Sequence, residues 1–264
     1  MLSRTLTPLA LLCLMVPGTA VASAGLNPPT TLRADPSIAP ILLDGHLEEA
    51  WFEGARFGNF AEFMPHHLVT ADVRTEGYIV HDDDGLFVAF VCHDPQIDRL
   101  RASLTDRDQI FDDDFVGIVL DTYRDRKRAY EFFSNAHGTQ GDMLWYSNRV
   151  EEDDEDAIWQ SQGGEDGGFD AVWESAAQIY EDRWVVEMKI PFSSLRFPDR
   201  EDQDWGLHLV RVYPREDRHQ LSWMPISQDD NSFMGQAGGL ALNLGEAAPD
   251  RSLEIIPFIS GSRT

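Results

Sequence analysis

Cysteine is nearly absent from this chain of 264 residues, which has only Cys13 and Cys92. Cys13 falls in an N-terminal leader, so the mature chain keeps one thiol and no intrachain disulfide can form. Cys92 occupies an apolar strand position, which predicts a packed thiol rather than a reactive one. Long apolar runs are missing too. Leu9 to Val16 is too short to span the roughly 30 Å of a bilayer core, and with Arg4 before it and Ala22, Ser23 and Ala24 after it, it has the layout of a secretory signal cleaved after Ala24. Basic residues are scarce, 21 Lys and Arg against 46 Asp and Glu. Losing the leader removes Arg4 and no acid, which takes the formal charge from −25 to −26. Such a field repels nucleic acid and anionic membrane surfaces and suits neutral ligands and divalent cations.

Catalytic signatures are also lacking. The chain has no GxSxG elbow, HExxH, GxxxxGK[ST], CxxC or GxGxxG. A glycosidase needs only two carboxylates about 5–9.5 Å apart. Among 46 acids, however, a given pair is far more often a solvated face.

What the chain does contain is a succession of short strand patterns. Val73–Val80 alternates, Asp82–Gly85 turns, and Leu86–Cys92 is apolar almost throughout, as in a central strand covered on both faces. Phe115–Leu120, Ala129–Ser134, Met143–Tyr146, Phe169–Tyr180, Trp184–Ile190, Trp205–Tyr213, Gln220–Met224, Leu240–Leu244 and Leu253–Phe258 continue the series. In Val185–Phe197 the alternation puts Val186, Met188 and Ile190 on one face and Val185, Glu187 and Lys189 on the other; Pro191 then ends the ladder. Leu47–Trp51 permits one helical turn that tucks Trp51 inward. Glu151–Asp156 and the glycines at 163–168 read as a solvated loop. Roughly ten short strands without a sustained helical period predict an all-β, antiparallel sandwich, jelly-roll-like, with no internal repeat.

Acids cluster at Asp94 and in the loop holding Asp106, Asp108, Asp112, Asp113 and Asp114. Calcium takes six to eight oxygens from flexible loops, so Asp94, Asp106, Asp108 and Asp112 are candidate ligands of a structural Ca2+, although ordinary loop acidity reads the same way. Sugar recognition needs aromatic faces beside planar polar groups. Trp145 and Trp159 flank the acidic loop, and Phe233 lies in the polar stretch QDDNSFMG. Trp51, Trp173, Trp184 and Trp205 lie in regular elements and read as core.

Several segments together resemble the family 9 carbohydrate-binding module, in the variant found ahead of a bacterial outer-membrane barrel. They are ILLDGHLEEAW (Ile41–Trp51), GLFVAFVCHDP (Gly85–Pro95), FDDDFVGIVLDT (Phe111–Thr122), the strand end at Asn135 with Gly138–Asp142, FDAVWES, EMKIPFSSLRF and FMGQAGGL. The resemblance covers nearly all of Ile41–Leu244. It implies a β-sandwich, structural calcium with Asp94 at a ligand position, and an aromatic clamp for sugar ends. Phe111 and Phe233 stand where sugar-binding members have tryptophans, Gly117 stands where they have a ligand glutamate, and Asp230 and Asn231 are placed to supply hydrogen bonds. Phe111, Asp230, Asn231, Phe233 and Trp159 form the expected ligand set.

The expected organisation is a leader at 1–24, an extended lead-in at 25–40, the sandwich at 41–246, and a tail at 247–264. In that tail Ser252–Thr264 resembles the first strand of a barrel. Three functions stay open to the sequence. One is a non-catalytic carbohydrate-binding domain of an exported protein linked to glycan uptake or breakdown, at the periplasmic face of the outer membrane or outside the cell. The others are an interaction domain of an outer-membrane barrel protein without sugar affinity, and a glycan-acting hydrolase.

Overall fold

The computed structural model describes residues 30–148, 163–230 and 232–245. The leader, the tail with Leu253–Phe258, Glu151–Asp156, Trp159 and Asn231 lie outside the described residues.

The chain runs through β1 (Thr31–Ala34), a helical turn α1 (Glu49–Phe52), β2 (Ala55–Phe57), β3 (Ala61–Met64), β4 (Val69–Thr70), β5 (Thr75–His81) and β6 (Gly85–His93). It continues through β7 (Phe115–Asp121), β8 (Arg128–Asn135), β9 (Gln140–Tyr146), β10 (Gly164–Asp166), β11 (Glu174–Ile179) and β12 (Arg183–Pro191). The last elements are β13 (Asp202–Pro214), β14 (Arg218–Ser222) and β15 (Gly238–Asn243).

These strands form the expected sandwich. The smaller sheet has the order β11-β12-β6-β5-β2, which makes β6 central as its apolar run predicts. The larger runs β10-β9-β8-β7-β13-β14-β3-β4. Its axis is β13, whose first half pairs with β15 while its second half pairs with β14, both on the edge opposite β7. Pairing is antiparallel except for β1, which runs parallel to β15.

Five strands exceed the expected set, namely β1, β2, β3, β4 and β10, each of two to four residues and too short to show a period. The lead-in expected at 25–40 therefore holds a strand of the larger sheet. The glycines read as a solvated loop hold β10, whose Gly164 pairs with Tyr146. Gly163 makes this approach feasible: at φ 134° it lies against the Trp145 indole, where a Cβ would come within 2.3 Å of Nε1.

Between the sheets lie Val88, Phe90, Val186, Met188 and Ile190 of the smaller sheet and Val116, Ile118, Leu120, Phe132, Leu207 and Leu209 of the larger, with Trp173, Trp184 and Trp205. Cys92 is buried among them, and burial pushes its thiol up to about 12, consistent with a packing role. Both outer faces are covered as well. Trp51 from α1, with Ile41, Leu43 and Leu47, covers Val80, Phe87 and Ala89. On the larger sheet Phe115, Val119, Phe133, Trp145, Val210 and Val212 form an outer cluster beneath Ile110, Ile226, Phe233 and Met234. Strands apolar on both faces follow from this double cover.

Two polar contacts tie distant segments together. The Glu187 carboxylate accepts the backbone N–H groups of Asp44 (2.8 Å) and Gly45 (2.7 Å). The alternation of β12 assigns Glu187 to the solvent face, yet the incoming chain buries it. Gly45 has φ 80°, and its Cβ would meet Gln178 at 2.6 Å, so only glycine fits this approach. Burial pushes the Glu187 carboxyl up to about 7.

The second contact is Arg215, buried after β13. Its Nη2 bonds Asp94 Oδ2 and its Nη1 bonds Asp114 Oδ2 at 2.9 Å. Asp94 follows β6 in the smaller sheet and Asp114 precedes β7 in the larger, so one guanidinium joins both layers. It also lies 3.9 Å from the centre of the Tyr213 ring, a cation–π contact.

Arg215→Met leaves two buried carboxylates without their cation and lowers unfolding free energy in urea by about 3–5 kcal/mol. For Glu187 the folded-state value lies above the ordinary 4.5, so the stability it contributes is fully present below 4.5 and is lost as pH rises through about 7. Glu187→Gln keeps an acceptor and flattens that loss between pH 5 and 8. Glu187→Ala removes the acceptor and costs about 1–3 kcal/mol at pH 5, both read by urea denaturation.

Candidate functional site

The expected clamp residues Phe111 and Phe233 both belong to the outer cluster of the larger sheet, as packing elements. Phe111 sits edge-on to Phe115 and Phe133, with centroids 5.7 Å away in both cases. Phe233 is only 2% exposed, stacked on His208 at 4.6 Å with a 19° tilt and 5.7 Å from Trp145. His208 Nε2 bonds the Phe233 carbonyl oxygen at 3.0 Å, and burial pushes the imidazole down to about 4, so it stays neutral. In this arrangement neither face of Phe233 is open to a sugar, which corrects its reading as a stacking platform.

Gly117 explains the closure from below. A Cβ there would come within 2.2 Å of the Phe133 ring, so Phe133 takes the space a side chain at 117 would need. Asp230 is exposed and accepts the Ser232 N–H at 3.0 Å, which closes a local turn. Trp145, read as flanking a loop, is buried in the outer cluster.

Each aspartate expected to bind calcium has a protein donor or faces water. Asp94 is held by Arg215, the Gln96 N–H and the Tyr213 hydroxyl. Asp108 accepts the Asp142 N–H at 2.9 Å, and burial raises its carboxyl above the usual range. Asp113 accepts from Ser103 and the Asn135 amide, and Asp114 from Arg215 and the Arg101 N–H. Asp106 and Asp112 are exposed. Among the described residues no three of these aspartates bring carboxylate oxygens together. The positive charge that Asp94 and Asp114 share is a guanidinium.

An open groove of about 590 Å3 lies elsewhere, at the far end of β7. Tyr123, Asp125, Lys127, Arg128, Tyr146 and Ser147 line it together with Asn148. The β7–β8 turn is held by Asp121, whose Oδ2 accepts the Arg126 N–H at 2.7 Å, while Asp125 accepts the Lys127 N–H at 3.0 Å. Arg124 and Arg126 take positive φ values of 52° and 61°, and this folds the turn back so that Tyr123 is left 47% exposed. Across the ladder Arg128 pairs with Tyr146, and the Ser147 N–H donates to the Lys127 carbonyl. Two phenol rings thus stand among a guanidinium, an ammonium, a carboxylate and an amide, the mixture of ring faces and directed polar groups that binds hydroxyl-rich rings. Sequence reading marks this turn only as charged. The signal is the strand register that brings Tyr146 beside Arg128, and it is not readable before the pairing is known.

A family model described as "Carbohydrate family 9 binding domain-like" matches residues 43–233. No curated protein matches the chain. Among solved structures, the carbohydrate binding module family 9 of Caldicellulosiruptor kristjanssonii in complex with cellotriose is similar at a TM-score of 0.53 and 16% identity, over 85% of this chain and 100% of its own. The complex of that module with glucose gives the same values. A Bacteroides uniformis protein put forward as carbohydrate-binding is similar at a TM-score of 0.59 and 12% identity, over 81% of this chain and 99% of its own. At such identities the structures establish the shared sandwich fold. With the family model extending over well more than half of its residues, the chain belongs to the carbohydrate family 9 binding domain-like family.

Proposed function

We propose that this chain is a non-catalytic carbohydrate-binding domain and that the groove of Tyr123 and Tyr146 receives the sugar. The observation that carries the reading is that groove, where exposed ring surface and planar polar side chains share one open cavity. Family membership supports it, as do the cellotriose and glucose complexes of a structurally similar module. The leader-like N-terminus and acidic composition support an exported protein linked to glycan uptake or breakdown, at the periplasmic face of the outer membrane or outside the cell. A second reading, an interaction domain of a barrel protein without sugar affinity, is favoured by the burial of Phe233 where the clamp was expected.

Calorimetric titration with glucose, cellotriose and a panel of neutral and acidic oligosaccharides separates the two. The expected Kd is about 10 μM to 1 mM, or about −7 to −4 kcal/mol. Tyr123→Ala and Tyr146→Ala each weaken binding about 10-fold without changing the fold by circular dichroism, whereas Phe233→Ala lowers the melting temperature. Absence of heat across the panel from the folded chain overturns the proposal in favour of the interaction domain. Binding that survives both tyrosine variants overturns the groove as its site.

A further inference from the structure

We infer that Glu62, His66 and His219 form a site for a divalent transition metal of the zinc class, at the edge of the larger sheet and separate from the tyrosine groove. Glu62 lies on β3, opposite Leu221 of β14. It is only 3% exposed. A buried carboxylate needs a compensating charge or strong donors. Among the described residues the only ion-pair partners of Glu62 are two imidazoles: His66 Nδ1 lies 2.7 Å from Oε1, and His219 Nδ1 lies 3.2 Å from Oε2. The arginines just before and at the start of β14 have other partners, Arg215 with Asp94 and Asp114, and Arg218 with the Phe111 carbonyl.

One carboxylate oxygen and one nitrogen from each histidine all fall within 4.8 Å of one another. Zinc bonds of about 2.0–2.2 Å place neighbouring ligand atoms of a tetrahedron about 3.4 Å apart, so small side-chain rotations suffice to admit an ion. Two imidazoles and one carboxylate suit zinc, copper or nickel, whereas calcium and magnesium prefer oxygen alone. The site is open on one side: the His66 side chain is 63% exposed and that of His219 21%, which leaves an entry path and a position for water.

The ligands are held before any metal arrives. Glu62 Oε1 also accepts the His66 backbone N–H at 3.2 Å, fixing the turn between β3 and β4. The neighbouring His67 is fixed by Ser227 Oγ and by the Gln228 N–H, which donates to its Nε2. The His219 ring packs against Tyr213 with centroids 6.1 Å apart. Nδ1 of each imidazole faces the carboxylate, and an ion seated between them takes the Nδ1 lone pairs, with the ring proton on Nε2.

The test is equilibrium dialysis of the metal-stripped chain against Zn2+, with metal content measured per chain, and Co2+ substitution followed by visible absorption. The expected result is one Zn2+ per chain, a higher melting temperature with Zn2+ than with Ca2+, and a Co2+ spectrum of four-coordinate intensity. His66→Ala and His219→Ala each weaken Zn2+ binding at least about 10-fold, since loss of even an outer partner of a metal ligand has that effect. His46→Ala, remote in the fold, leaves binding unchanged. Less than stoichiometric Zn2+, or stoichiometric Zn2+ that survives both ligand variants, overturns the assignment. His66 is mostly exposed, so its variant folds and the outcome stays readable.

Discussion

The arrangement of the two layers depends on the Arg215 guanidinium held between Asp94 and Asp114. A buried ion pair is weak evidence of net stabilisation, since desolvation offsets most of its Coulomb attraction, yet breaking one is severe. Its value here is geometric. It fixes where β6 ends relative to the start of β7 and the end of β13, and so sets the path of the 94–114 loop. That loop in turn delivers Ile110 and Phe111 onto the outer cluster of the larger sheet. Arg211, four residues earlier on β13, also crosses the layers and donates through Nη1 to Thr75 Oγ1 and the His93 carbonyl. Arg211 near the end of β13 and Arg215 just beyond it thus hold the same end of the sandwich, where an acidic chain has carboxylates in excess and few cations to meet them.

Double cover of the sheets decides where function can reside. An antiparallel sheet often leaves one face to solvent, but here the 41–51 segment closes one outer face and Ile110, Phe111, Ile226, Phe233 and Met234 close the other. Chemistry is therefore displaced to turns and edges. The tyrosine groove lies at the end of the β7–β8 hairpin, and the Glu62, His66 and His219 cluster lies at the β3–β14 edge. The cluster combines side chains from segments far apart in sequence, whereas the groove joins the ends of neighbouring hairpins; a rigid scaffold positions both.

Much of the fold is legible in the sequence because burial on β6, β7, β12 and β13 imposes period and length. In Val185–Phe197 the strand and its proline stop read correctly, with Val186, Met188 and Ile190 on the core face. What stays hidden is what depends on contact at long range. The pattern assigns Glu187 to water, since nothing local reveals that Asp44 and Gly45 fold over it from 143 and 142 residues away. Asp94 reads as a metal ligand because its partner, Arg215, is 121 residues distant and looks like any loop arginine. Aromatic residues at clamp positions carry no mark of whether their rings stay open, and Phe233 lies beneath its own segment because Gly117 and Phe133 have reshaped the surface below. Strands of two to four residues leave no period to read, which hides β3 and the Glu62 it carries.

The parallel pairing of β1 with β15 has a mechanical consequence. Thr31 lies beside Gly239 and Ala34 beside Leu242, so the chain enters this pair at one end and leaves it at the other. Tension between residue 30 and residue 245 pulls the two strands lengthwise past each other. Every hydrogen bond of the ladder is then loaded at once in shear, whereas an antiparallel closing hairpin would peel open one bond at a time. The first and last strands among the described residues therefore act as a clasp against force applied along the polypeptide, and the core behind them is shielded until that clasp slips.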